Sequence, residues 1–285
     1  MSFLAEPGER VKIVDSQVHI WESLPGADSH AGEPRHFTYE ELLQQMDAAG
    51  VDAAILVPRA FEGARNDYAL EAVRKHPDRF AVMGRISLDD PNAPHSLRHW
   101  VEQPGLLGVR LTFHRADSRG ALTDGTADWF WPEAERLSIP VMVHAPEGLA
   151  TLADIAARHP RLRLILDHMG FARRDIDAEA NKAVDRLLGL AGHPNIFVKV
   201  SAAPCYSTEP YPFQNIQRQI RRVVDAFGPD RCFWGSDLTR LPKGVSYKQC
   251  VTMFTESSGF LSAQELPAVM GRGLARCLGW PRLAA

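Results

Sequence analysis

Eight polar residues stand at or near the ends of short apolar runs in this 285-residue chain, and their types define the chemistry on offer. Gln17 and His19 follow the first run, and Arg85 and Arg110 lie towards the ends of the third and fourth. His144, His168, Lys199 and Asp237 belong to the fifth to eighth. Three imidazoles and a carboxylate suit a divalent ion, zinc or manganese. A hydrolytic centre built on them keeps one coordination position for water and draws its pKa towards neutrality. Asp237 is then placed to take the proton from that water, and His168 to stabilise or protonate the developing oxyanion. Arg85, Arg110 and Lys199 add three cations, and arginine binds carboxylate through two parallel hydrogen bonds, so an anionic substrate is expected. The bland alternative for each cation is an ion pair inside the protein. For a lone histidine it is a loop or capping role.

These residues meet only if the runs carrying them are parallel strands. The first run, residues 11–18, is rich in β-branched residues and reads as a strand buried on both faces. Period-two alternation puts Asp15, Gln17 and His19 on one side of it. Further runs lie at residues 51–57, 80–88, 106–113, 139–143, 162–166, 196–200 and 231–234. Helical stretches separate them. One is announced by Thr38 and Glu41, spaced as a capping box, and stopped by Gly50; Ser262 and Glu265 repeat the box near the end. Alternation of apolar strands and helices implies a parallel sheet covered by helices, and eight units in one chain favour a single α/β domain over residues 1–285, a (β/α)8 TIM barrel. A doubly wound sheet is the alternative, but no GxGxxG follows the first strand. In a barrel the C-terminal strand ends converge on one face, which brings all eight residues together.

Composition excludes other classes. A net charge of -3 with 24% charged residues argues against nucleic acid or an anionic membrane as partner. No apolar stretch reaches the roughly 18 residues of a membrane span, and the first ten residues lack an apolar signal core, so a cytoplasmic protein is expected. The four cysteines, Cys205, Cys232, Cys250 and Cys277, form no CxxC pair and read as buried thiols.

The ordered set Asp15-Ser16-Gln17-Val18-His19-Ile20-Trp21, Val143-His144, Asp167-His168-Met169-Gly170, Phe197-Val198-Lys199-Val200-Ser201 and Trp234-Gly235-Ser236-Asp237 resembles the amidohydrolase superfamily. Within it the chain is most similar to the amidohydrolase-2 branch of TIM-barrel hydrolases, with its 2-pyrone-4,6-dicarboxylate hydrolases and sugar lactonases and, more distantly, decarboxylases. The resemblance implies that His19, His144 and Asp237 are metal ligands. It implies that His168 contacts the reacting carbonyl or the water, and that Asp237 is the base. Gln17 departs from the pattern, standing where the first histidine of His-x-His belongs, and an amide oxygen is a weak ligand for zinc. Two cofactor readings follow: a divalent metal, or a metal-free site in which Gln17 joins Trp21, Arg85, Arg110 and Lys199 as substrate contacts. Leu238-Thr239-Arg240 also departs from the aromatic-proline run of relatives, and Arg240 reads as a surface charge of an exposed loop, with one more anion contact as the alternative.

The resulting expectation is a hydrolase that opens a small, carboxylate-bearing lactone. The alternatives are a metal-dependent non-oxidative decarboxylase on the same scaffold, an amidase or C–C hydrolase, and a non-catalytic binding protein. Retention of His19, His144, His168 and Asp237 together speaks against the last. Specificity is expected from the loops at residues 23–35, 59–65 and 202–213, and association into a homo-oligomer is left open.

Overall fold

A computed structural model describes residues 10–22, 36–60, 63–114, 118–256 and 259–280. The specificity loop expected at residues 23–35 lies outside the described residues, as do residues 61–62 of the second loop. Eight strands form one parallel sheet in sequence order: β1 (Val14–Val18), β2 (Ala53–Leu56), β3 (Phe80–Gly84), β4 (Leu106–Thr112), β5 (Val141–His144), β6 (Leu164–Leu166), β7 (Ile196–Ser201) and β8 (Cys232–Gly235). Between and after them run α1 (Tyr39–Ala49), α2 (Asp67–Lys75), α3 (Ala93–Arg98), α4 (Phe130–Arg136), α5 (Leu149–Arg158), α6 (Ala178–Leu188), α7 (Gln214–Phe227), α8 (Tyr247–Thr255) and α9 (Gly273–Leu278). The architecture is a single (β/α)8 barrel. Among the described residues no helix is long and apolar enough to cross a membrane.

Strand alternation divides the core in two. Val18, Leu56, Val82, Val143, Val198 and Trp234 face the helices in the larger apolar cluster. Ile55, Met83, Met142, Ile165 and Phe233 fill the barrel itself. Leu274 of α9 and Trp280 join this inner cluster from the N-terminal end, where Arg163, just before β6, bonds the Cys277 carbonyl at 2.6 Å. Chain and barrel come so close there that a Cβ on Gly271 would stand 2.8 Å from Val14 and 2.9 Å from the Lys12 carbonyl. Among the described residues that end is packed by apolar side chains, and the strand-end polar residues lie at the other, C-terminal end.

Local signals explain several boundaries. Thr38 and Glu41 make both bonds of the expected capping box, and Gly50 ends α1 with φ +76°. Ser262 and Glu265 also make their reciprocal bonds. The segment they open is not a plain helix, because a π-turn at residues 268–272, with Gly271 extended at φ 174°, precedes α9. That break is what lets Gly271 lie against β1.

The seam between β8 and β1 is held mainly by one buried carboxylate. Asp15 Oδ1 accepts the backbone N–H groups of Gln17 and Ser236, both at 2.9 Å. Its Oδ2 accepts the hydroxyls of Ser236 and Tyr247. One backbone bond, Asp237 N–H to the Gln17 carbonyl at 2.9 Å, spans the same seam.

Candidate active site

The first site residues arrive by an irregularity. β1 pairs with β2 through Val14–Ala53 and Asp15–Ala54, then resumes at Val18–Leu56, so β1 spends one residue more than its partner. This bulge overturns the expectation that Asp15, Gln17 and His19 share a side. Asp15 is turned to Tyr247 at the start of α8, while Gln17 and His19 line the cavity at the strand ends. His19 Nδ1 lies 2.6 Å from the Val57 carbonyl, and its Nε2 is 3.2 Å from Gln17 Nε2 and 3.4 Å from Asp237 Oδ1.

Below the cavity lies a fully buried charge cluster. Asp167, at the end of β6, takes Arg110 Nη1 at 2.7 Å and Lys199 Nζ at 3.0 Å. Burial favours the neutral acid, but the two cations outweigh it and hold the Asp167 carboxyl below the usual range. Lys199, wholly buried on β7, also donates to Gln17 Oε1 and contacts Met142 Sδ at 3.4 Å. It is not among the residues lining the cavity, and it stands in the ion pair with Asp167 that was its alternative reading. Arg110 does line the cavity, as do Trp21 and Arg85.

His144 and His168 stand edge to face, ring centres 5.2 Å apart. His144 Nε2 faces the Phe171 carbonyl at 3.1 Å, and burial, reinforced by Arg110 and His114, pushes its pKa down to about 3. His168 Nδ1 pairs with Ser201 Oγ at 2.8 Å, leaving Nε2 3.6 Å from Asp237 Oδ2. Burial, then Arg240 and His144, holds it well below the usual imidazole range, and burial lowers His19 too. All three imidazoles are therefore neutral near pH 7.

Asp237 is wholly buried, with φ +51°, a left-handed conformation shared by His168 (φ +52°), Met169 (φ +56°) and Ala202 (φ +56°). Each such non-glycine residue costs about 1 kcal/mol or more. Four of them stand together at the ends of β6, β7 and β8, and such conformations persist only where the surrounding structure holds them. Asp237 Oδ1 makes no hydrogen bond within the described protein.

The cavity has a volume of about 150 Å³. Sequence reasoning missed several of its residues. Arg59, two residues past Val57 of the inner cluster, lies over the Trp21 ring at 4.0 Å. Period-two counting along β4 could have found Thr112 and His114, since Arg110 already pointed inward. Arg240, read first as a surface charge and otherwise as an anion contact, lines the cavity, with Nη1 3.1 Å from Asp237 Oδ2 and its guanidinium 5.9 Å from the Tyr206 ring. The turn at residues 238–240 folds it back over the strand end. With Arg173 the described lining carries five arginines, and Asp237 is its only acid.

The donor set does not fit a bound divalent ion as arranged. Among the described residues no three His, Cys, Asp or Glu side chains assemble closely enough to hold one. His19 and Asp237 approach each other, but the third expected ligand, His144, has its Nε2 on the Phe171 carbonyl. The Gln17 oxygen is occupied by the Lys199 ammonium, and the Gln17 nitrogen faces the His19 Nε2 lone pair.

The family follows from comparison. The amidohydrolase family model matches residues 14–278, and the chain belongs to that family. It is 25% identical over 243 residues to an L-fucono-1,5-lactonase of Burkholderia ambifaria, covering 79% of each chain. It is 32% identical over 231 residues to a gamma-resorcylate decarboxylase of Rhodococcus jostii, covering 66% of this chain and 62% of that one. Among solved structures, an amidohydrolase from Burkholderia multivorans with bound zinc superposes with a TM-score of 0.77 at 23% identity, over 94% of this chain and 99% of that one.

Proposed function

We propose that the protein hydrolyses a small lactone bearing at least one carboxylate, with Asp237 as general base and no metal-borne step. The observation that supports this reading is the buried Asp237 carboxylate, the lone acid of a described lining that holds five arginines and four imidazoles. The lactonase relative supports the reaction class. A base whose Oδ1 has no hydrogen bond within the described protein can accept one from an incoming water. Asp237 takes a proton from water as its oxygen bonds the acyl carbon, and charge gathers on the former carbonyl oxygen. The cationic lining and the Nε2 edge of His168 receive that charge. Collapse breaks the ring C–O bond, and the leaving oxygen recovers the proton, giving a hydroxy acid. Burial keeps His168 neutral, so it serves as a dipole and donor rather than as a further fixed cation.

Arginine–carboxylate recognition sets the substrate preference. Proton release from paired lactones, identical but for a carboxylate, is expected to give kcat/KM roughly a hundredfold higher for the acid, the effect of one charge-assisted pair contributing about 2.7 kcal/mol. Equal rates for the neutral lactone would remove the anionic specificity. Release of CO2 from hydroxybenzoates in place of ring opening would assign the cavity to decarboxylation.

A further inference from the structure

Gln17 stands between groups that leave its amide one orientation. An ammonium and an amide nitrogen only donate hydrogen bonds, and a carbonyl only accepts them. Lys199 Nζ donates to Gln17 Oε1, so the amide nitrogen is the end turned to His19 Nε2, 3.2 Å away. His19 Nε2 must then accept, which puts the imidazole proton on Nδ1. Independently, His19 Nδ1 lies 2.6 Å from the Val57 carbonyl, where only a donor fits. The two ends of the chain of bonds demand the same tautomer. Lys199 is fixed in turn by Asp167 Oδ1 at 3.0 Å and shows no solvent exposure.

We infer that Lys199 is a positioning residue and the resident cation of the site: its ammonium, clamped by Asp167, caps the Gln17 oxygen, turns the Gln17 nitrogen onto His19, and closes both strand-one side chains to a divalent ion. His19 Nε2 has spent its one lone pair on the Gln17 amide, and an ion approaching the remaining lone pair of the Gln17 oxygen would meet the Lys199 ammonium bonded there. Arg110, 2.7 Å from the same Asp167, adds a second buried positive charge beside the position an ion would take. The substitution of glutamine for histidine at position 17 and the buried lysine on β7 are thus two halves of one device. The inference concerns how the site is held, and it stands whichever ester the cavity admits.

The test is metal binding together with the state of one imidazole. The full chain, purified without a polyhistidine tag or chelator, is expected to carry no stoichiometric zinc or manganese by elemental analysis. ZnCl2 titrated into it calorimetrically should show no one-per-chain binding. The double variant Gln17→His with Lys199→Met restores an imidazole and removes the ammonium. It should bind one zinc per chain, tighter than the parent by on the order of a hundredfold, the scale of one added ligand with its supporting shell. Imidazole nitrogen NMR of the parent should show His19 neutral with its proton on Nδ1, a tautomer that the Val57 carbonyl keeps in Lys199→Met as well. A parent that binds one zinc per chain as tightly as the double variant overturns the inference, as does a His19 proton on Nε2 in the parent. If the Lys199 variants do not fold, the metal content and imidazole spectrum of the parent alone decide.

Discussion

Asp237 is over-determined by its neighbours. Its backbone N–H is spent on the Gln17 carbonyl, its Oδ2 faces Arg240 at 3.1 Å and His168 at 3.6 Å, and its φ of +51° places the carboxylate over the end of β8. Asparagine has the same shape and tolerates the left-handed region better than most residues, so Asp237→Asn is expected to fold normally. It removes the base while leaving the arginines and imidazoles in place. Ring opening should therefore slow about a thousandfold in kcat, the scale of general base catalysis, with the circular dichroism spectrum unchanged. A folded variant that keeps kcat within tenfold of the parent would take the base role from Asp237.

The elements were legible where local chemistry sets them. Apolar runs, the Thr38–Glu41 box and Gly50 announce themselves because a buried strand must be apolar and a helix end must satisfy its backbone. His144, His168 and Asp237 could be read because each lies within three residues of the end of an apolar run. Features set by tertiary contact could not. The β1 bulge depends on pairing with β2, and it sends Asp15 to the seam and Gln17 to the cavity. Arg240 is carried inward by the turn after Asp237, which no periodicity describes. The seam carries its own prediction. Burial raises the Asp15 pKa to about 6, against the pull of four hydrogen-bond donors. A folded pKa above the unfolded value of 3.8 means that this group stabilises most at low pH and loses that contribution as pH rises through about 6. Asparagine keeps the shape without titrating, and the Ser236 and Tyr247 hydroxyls can rotate to accept from it. Between about pH 7 and pH 5 the urea stability of the parent should gain about 1 kcal/mol relative to Asp15→Asn. Parallel curves for the two proteins would mean that Asp15 is ionised throughout.

At the scale of the whole barrel the opposite sign prevails. His144 and His168 are buried, and His19 half-buried, as neutral imidazoles at the C-terminal end, and unfolding returns them to an ordinary pKa of about 6.5. A folded pKa below the unfolded one means that the unfolded chain binds more protons, so stability is full above about 6.5 and is lost as pH falls towards the folded value. For His144, with a folded pKa of about 3, that loss amounts to about 2 kcal/mol between about pH 7 and pH 5. It exceeds the gain from Asp15, and the other two imidazoles act in the same direction. Because domains of this kind are stable by only about 5–15 kcal/mol, the site itself makes the barrel acid-labile. Glutamine at position 144 can still donate to the Phe171 carbonyl but does not titrate. Unfolding free energies by urea at a series of pH values should therefore fall more steeply for the parent than for His144→Gln, by about 2 kcal/mol over that interval. Coincident slopes would show that His144 titrates in the folded protein as it does in the unfolded chain, and the cationic lining would then have to tolerate one more positive group as pH falls.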